Sequence, residues 1–182
     1  MKLAFDPEKV WLDRISRRWE ADSERIELSG SYSIPEAELT EAIILRLLET
    51  SRGGDKLSAV PMQQRTPTVC LTALRISSTD HRDVPPPVWS TQFIEDALAV
   101  MNCPEFLIQS IPHELLTEEL CWRFIRWNGY CLESVPDSLK SDKLCLEAIT
   151  RNGSAIGFAP WHLRTLENFR IAVQSEPDRP RF

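Results

Sequence analysis

Glycine is scarce in this chain, at six residues in 182. Little is left for the glycine-rich loops that cradle phosphates, and no P-loop, G-x-G-x-x-G or G-x-S-x-G occurs. Positive charge is also short: Lys and Arg total 21 against 27 Asp and Glu, a net charge of −6. Such a balance argues against a chain built to coat a phosphate backbone, and it leaves room for a partner with a basic surface. No apolar run approaches the roughly 20 residues of a membrane span. The start, MKLAFDPEKVWLDR, meets acids before any apolar core of signal-peptide length. The five cysteines form no C-x-x-C, which is the pattern of a reduced, cytoplasmic chain, bacterial or delivered into a host cell. None of His81, His113 and His162 stands in a metal spacing. His81-Arg82-Asp83 matches a fragment of a kinase catalytic loop, but no D-F-G follows it. We therefore expect no enzyme, no cofactor and no metal.

Proline is plentiful by contrast, and it is periodic. Pro35, Pro61, Pro85, Pro112, Pro136 and Pro160 each follow a small apolar residue, at intervals of 26, 24, 27, 24 and 24. Internal repetition at 20–50 residues marks a repeat architecture. Five residues after each proline stands a hydroxyl: Thr40, Thr66, Ser90, Thr117, Ser141 and Thr165. Ser and Thr are favoured N-caps because their oxygen accepts an orphan backbone N–H. Eight, nine, twelve and thirteen residues after the proline come apolar positions, as in Leu144, Cys145, Ala148 and Ile149. That spacing forms one helical stripe. Only the last copy departs, with Asn168 beside Phe169, Ala172 and Val173.

Each unit is predicted to be a one-turn helix with the proline in its first turn, then a helix of about ten residues. Leu115, Leu139 and Leu163 pin the short helix to the long one. Asn128-Gly129 and Asn152-Gly153 are expected to form left-handed C-caps, with Leu132 and Ile156 packing the link that follows. A unit cannot bury its stripe alone, but a stack can. The fold expected is all-α: a superhelical, α-solenoid-like stack of about six repeats of 24–27 residues. It forms a single domain over 1–182. Within it, 1–33 hold a capping helix and linker, 34–175 the repeats, and 176–182 a flexible tail. The cap helix starts at Asp6-Pro7 and buries Trp11, Ile15 and Trp19. Ser23–Ser33 is a linker, and Ser51–Asp55 and Ser77–Asp83 are loops.

Cys70, Cys121 and Cys145 share one repeat position and read as small core side chains rather than convergent ligands. Cys103 and Cys131 fall in loops. Trp122, Trp127 and Trp161, with Arg123 and Arg126, are the candidate partner-binding residues, since Trp and Arg are common interface anchors. Trp122 lies about 130° from the centre of its helix's stripe by 100° rotation per residue. It belongs either to a second buried stripe or to a binding ridge.

The phrases VPDSLKSDKLCLEAI (Val135–Ile149) and AITRNGSAI (Ala148–Ile156) resemble a class of short bacterial helical repeats with the signature A-x-x-x-N-G-x-x-L. Such repeat domains of unknown function occur in bacterial effectors. The resemblance covers Ile111 to Val173 well and the first three copies loosely. It implies repeat geometry and transfers no catalytic residue. The function expected is a non-enzymatic protein–protein interaction module: an effector, immunity or inhibitor protein of bacterial or phage origin. Its partner is a protein, with a nucleic-acid-binding complex as a narrower version. Direct RNA or DNA binding is the alternative, and behind it an unrecognised enzyme, for which His113 or His162 with Cys131 are the best-placed residues.

Overall fold

The computed structural model describes residues 6–18, 34–50 and 57–175. Trp19, the expected linker 23–33, the loop 51–55 and the tail from 176 lie outside the described residues. All regular structure among the described residues is helical. The α-helices are α1 (Pro7–Arg18), α2 (Glu41–Thr50), α3 (Pro67–Ile76), α4 (Thr91–Val100), α5 (Glu118–Trp127), α6 (Asp142–Arg151) and α7 (Leu166–Gln174), with short 3₁₀ helices between them. The chain falls into two compact units, one ending at Asn102 and the other beginning at Cys103.

The local logic is the same in every copy. Each repeat proline precedes a three-residue 3₁₀ helix: Glu36–Glu38, Met62–Gln64, Pro86–Val88, His113–Leu115, Asp137–Leu139 and Trp161–Leu163. The sequence places the proline in the first turn of this helix; it is instead the N-cap. Its ψ lies near 135–149°, so the ring fixes φ while the backbone stays extended. The proline carbonyl accepts the backbone N–H three residues on, at 2.8–3.0 Å in all six copies.

The expected caps are present. Thr40, Thr66, Ser90, Thr117, Ser141 and Thr165 each accept the backbone N–H three residues later, at 3.1–3.4 Å. The stripe is buried in the first five copies, from Ile43, Ile44, Leu47 and Leu48 through Leu144, Cys145, Ala148 and Ile149. The last copy differs: Asn168 and Ala172 are buried, but Phe169 is 46% and Val173 75% exposed. Asn168 tolerates its place because its amide donates to the Leu163 carbonyl at 2.6 Å, which satisfies a polar group that would otherwise be costly to bury.

A further element follows the long helices. Six-residue 3₁₀ helices cover Ser78–Asp83, Pro104–Gln109, Gly129–Ser134 and Gly153–Phe158. Ser77–Asp83 is therefore helical from Ser78 and not a loop, and Cys131 sits within a short helix, 7% exposed. In the unit up to Asn102, α1 packs on α2, α2 on α3, and α3 on α4 and Ser78–Asp83. Ile15 of α1 is buried, while Trp11 is half-buried and donates its indole N–H to Glu38 Oε2 at 2.6 Å. In the unit from Cys103, α5 packs on α6 and α6 on α7, and the short helices Gly129–Ser134 and Gly153–Phe158 lie against α6 and α7 respectively.

Those last contacts correct the left-handed C-caps expected of Asn-Gly. Asn128 and Asn152 are extended, at φ −150 and −148°, and the following glycine enters the next 3₁₀ helix. The asparagines cap that second helix, accepting from Tyr130 N at 2.9 Å and from Ser154 N at 3.1 Å. Asn152 Nδ2 also donates to Asn128 Oδ1 at 3.3 Å, which joins the two copies. Glycine is required for a different reason. A Cβ on Gly129 would strike the backbone carbonyl of Ala148, and one on Gly153 the carbonyl of Ala172. The short helix presses its first residue against the neighbouring long helix, and only a hydrogen fits there.

Two arginines that sequence reasoning left aside are structural. Arg65 and Arg164 each lie four residues after a repeat proline and fold back on the preceding chain. Arg65 Nε donates to the Val60 carbonyl at 2.9 Å and Arg164 Nε to the Ala159 carbonyl at 3.0 Å. Both ties run to the carbonyl just before the repeat proline, and Arg164 remains exposed.

Candidate partner-binding surface

Helix α5 carries four of the five residues singled out from the sequence. Its Thr117 cap and first-turn Glu118 and Glu119 suit the positive end of the helix dipole. Leu120, Cys121, Phe124 and Ile125 turn inward, which forces Trp122, Arg123, Arg126 and Trp127 to the outer flanks. Two ladders result at i, i+4 spacing. In one, Trp122 Nε1 donates to Glu118 Oε1 at 3.4 Å, and Arg126 Cζ stands 6.0 Å from the Trp122 ring centroid. In the other, Arg123 Cζ stands 5.9 Å from the Trp127 ring centroid, and Trp127 and Phe124 make a T-shaped contact with their centroids 5.5 Å apart. Each cation–π contact at such exposed positions contributes about 0.5–1 kcal/mol. These contacts restrict the rotamers open to the two rings.

Trp122 is half-buried and Trp127 is 46% exposed. The second buried stripe entertained for Trp122's position does not form: its counterparts are half-buried Leu45 and Leu71 and exposed Glu95, Leu146 and Arg170. Trp161 stands on a different element, the short helix Trp161–Leu163, which packs on α6. It is 84% exposed, so it is not part of the α5 ladders. Beside it, His162 Nε2 meets Asp142 Oδ1 at 2.9 Å on the first residue of α6.

Four of the five cysteines, Cys70, Cys121, Cys131 and Cys145, are buried. Burial pushes the thiol pKa of Cys70 and Cys131 up to about 12, and that of Cys121 and Cys145 up to about 11. A thiolate, not a thiol, attacks or ligates. Among the described residues, no group of three His, Cys, Asp or Glu could hold a metal ion. His81 is buried, at 2% exposure, beside Asp80, also at 2%. Burial, helped by Arg82 and opposed by Asp83, depresses its pKa below the ordinary 6.5. The His81-Arg82-Asp83 tripeptide thus has its histidine in the core.

Sequence reasoning missed an aromatic row on the second set of short helices. Phe106 and Tyr130 each stand six residues before a repeat proline, and they are 44% and 42% exposed. Tyr130 meets Phe158 edge to face at 5.1 Å. Their shared offset from the proline was the available signal.

The DUF4116 family, a domain of unknown function, matches residues 117–164. That stretch runs from the cap of α5 to the structural Arg164 and contains both α5 ladders, Tyr130 and Trp161. No curated protein matches the chain, and no solved structure does. No described helix is long and apolar enough to cross a membrane.

Proposed function

We propose that the chain is a non-enzymatic protein-binding module, a superhelical stack of six helical repeats that engages a protein partner through α5. One observation carries this reading: two tryptophans and two arginines occupy the outer flanks of one helix, preset by intrahelical contacts, with Trp127 46% exposed. Stacked repeats bind through a continuous face, and ordered Trp and Arg side chains are typical anchors on such a face. Trp161 supplies an outlying contact. The net charge of −6 favours a protein partner with a basic surface, including a nucleic-acid-binding complex, over nucleic acid itself. This is the behaviour expected of a cytoplasmic effector, immunity or inhibitor protein.

The test is capture from an extract of the native host. Replacing Trp122 and Trp127 with Ala should abolish capture of the partner while helix content and melting temperature stay unchanged. Unchanged capture would remove α5 from the binding surface. Recovery of nucleic acid by the purified protein in a gel shift would favour direct nucleic-acid binding instead.

A further inference from the structure

A shallow groove separates the short helices Pro104–Gln109 and Gly129–Ser134, and Glu105, Phe106, Gln109, Tyr130, Glu133 and Ser134 line it. Its chemistry differs from the α5 ladders, which pair aromatics with cations. Here the aromatics pair with carboxylates, and no Lys or Arg lines the groove. Phe106 and Tyr130 keep 44% and 42% of their surface exposed, and Phe158 extends the row against Tyr130. Exposed rings set one repeat apart and flanked by acids of one sign form an acidic aromatic surface.

From this juxtaposition we propose that the groove binds a basic, Arg- or Lys-bearing peptide segment of a protein partner, its cations held between the Glu105 and Glu133 carboxylates and the faces of Phe106 and Tyr130. An aromatic face attracts a cation through the ring quadrupole, and a nearby carboxylate adds direct charge pairing. Both carboxylates act at the groove. Glu133 is the leading cause of a raised Tyr130 phenol pKa, and Glu105 adds to the raised thiol pKa of Cys131 beneath. Charge complementarity selects the occupant: an acidic or neutral peptide would bring no cation to two carboxylates, of which Glu133 has only the Tyr130 phenol as its partner. The groove is independent of the α5 ridge, and either can fail without the other.

The probe is a fluorescein-labelled decapeptide of alternating Arg and Ser, followed by fluorescence polarisation at about 0.15 M salt. A second decapeptide has Gln in place of Arg. The groove variant is Glu105→Gln with Glu133→Gln; a charge-matched control carries Glu114→Gln with Glu167→Gln, both exposed and outside the groove. The groove reading predicts that the wild type prefers the Arg peptide and that the groove variant weakens it by about fivefold or more. Tyr130→Leu weakens it by about threefold or more. The control and the Trp122→Ala, Trp127→Ala variant change it by less than about twofold. Equal weakening by groove and control variants would show unspecific attraction to an acidic protein and overturn the proposal. So would equal affinity for the two peptides, or no binding by the wild type. Melting curves confirm that each variant is folded.

Discussion

Replacing Gly153 with Ala isolates the contact that joins one short helix to the next long helix. Neither Gly129 nor Gly153 adopts a positive φ, so Ala is conformationally allowed at both. If backbone freedom were the only issue, Ala would stabilise by about 0.4–1 kcal/mol through the unfolded chain. The structure predicts the opposite sign. The new Cβ would fall on the Ala172 carbonyl, with the Ala172 Cα about 3.0 Å away. The obstacle is backbone of α7 rather than a flexible side-chain end, so α7 or the short helix must shift as a body. Overpacking of this kind costs about 1–3 kcal/mol. Gly157 is the internal control, since it lies in the same short helix and a Cβ there meets nothing within 4 Å. Urea unfolding of Gly153→Ala, Gly157→Ala and wild type measures both. The expected result is a lower midpoint for Gly153→Ala and an unchanged or higher midpoint for Gly157→Ala. Equal, neutral-to-stabilising effects at the two positions would refute the close-approach account and restore a purely local role for the glycine.

Other perturbations test the same framework. Ile149→Ala, at a fully buried stripe position, should cost about 2–5 kcal/mol in chemical denaturation; its counterpart Val173→Ala, 75% exposed, should cost under about 0.5 kcal/mol, and similar costs would mean that α7 is covered in solution. In the native protein a thiol reagent should label half-buried Cys103 first, with Cys70, Cys121, Cys131 and Cys145 reacting only on unfolding; rapid labelling of all five under native conditions would contradict the core assignment. His81 is buried with a depressed pKa, so its contribution to stability is present above the ordinary value near 6.5 and is lost as pH falls through the folded pKa. The melting temperature should therefore drop as pH falls below about 6.5, and His81→Gln should flatten that drop; an undiminished slope would assign the titration to another group.

What was legible in the sequence follows from the range of the forces. The Thr and Ser caps act over three residues, and the apolar stripe over one helix, so both could be read from spacing alone. The proline's role was misplaced by one position because its fixed φ suits the N-cap as well as the first turn. The glycines were misread because the carbonyl that Gly129 approaches belongs to Ala148, nineteen residues on. The second short helices were missed in Ser78–Asp83 and around Cys131 because they carry neither a proline cap nor a long apolar period. The exposure of Phe169 and Val173 was invisible for a related reason: a stripe shows which face is apolar, not what lies against it. Four α5 residues of the candidate surface could be found from residue type, but their ordering into two ladders needed the side-chain geometry. The Phe106–Tyr130 groove needed the adjacency of two short helices.

The most direct test of the binding account is site-specific photocrosslinking in the native host. A photoreactive phenylalanine analogue placed at Trp127 on the α5 flank is compared with one at Thr72, a half-buried surface position on α3. The account predicts a discrete protein adduct at position 127 that resists nuclease treatment, and none at position 72. Adducts of equal yield at both positions, or an adduct at 127 that nuclease removes, would contradict it.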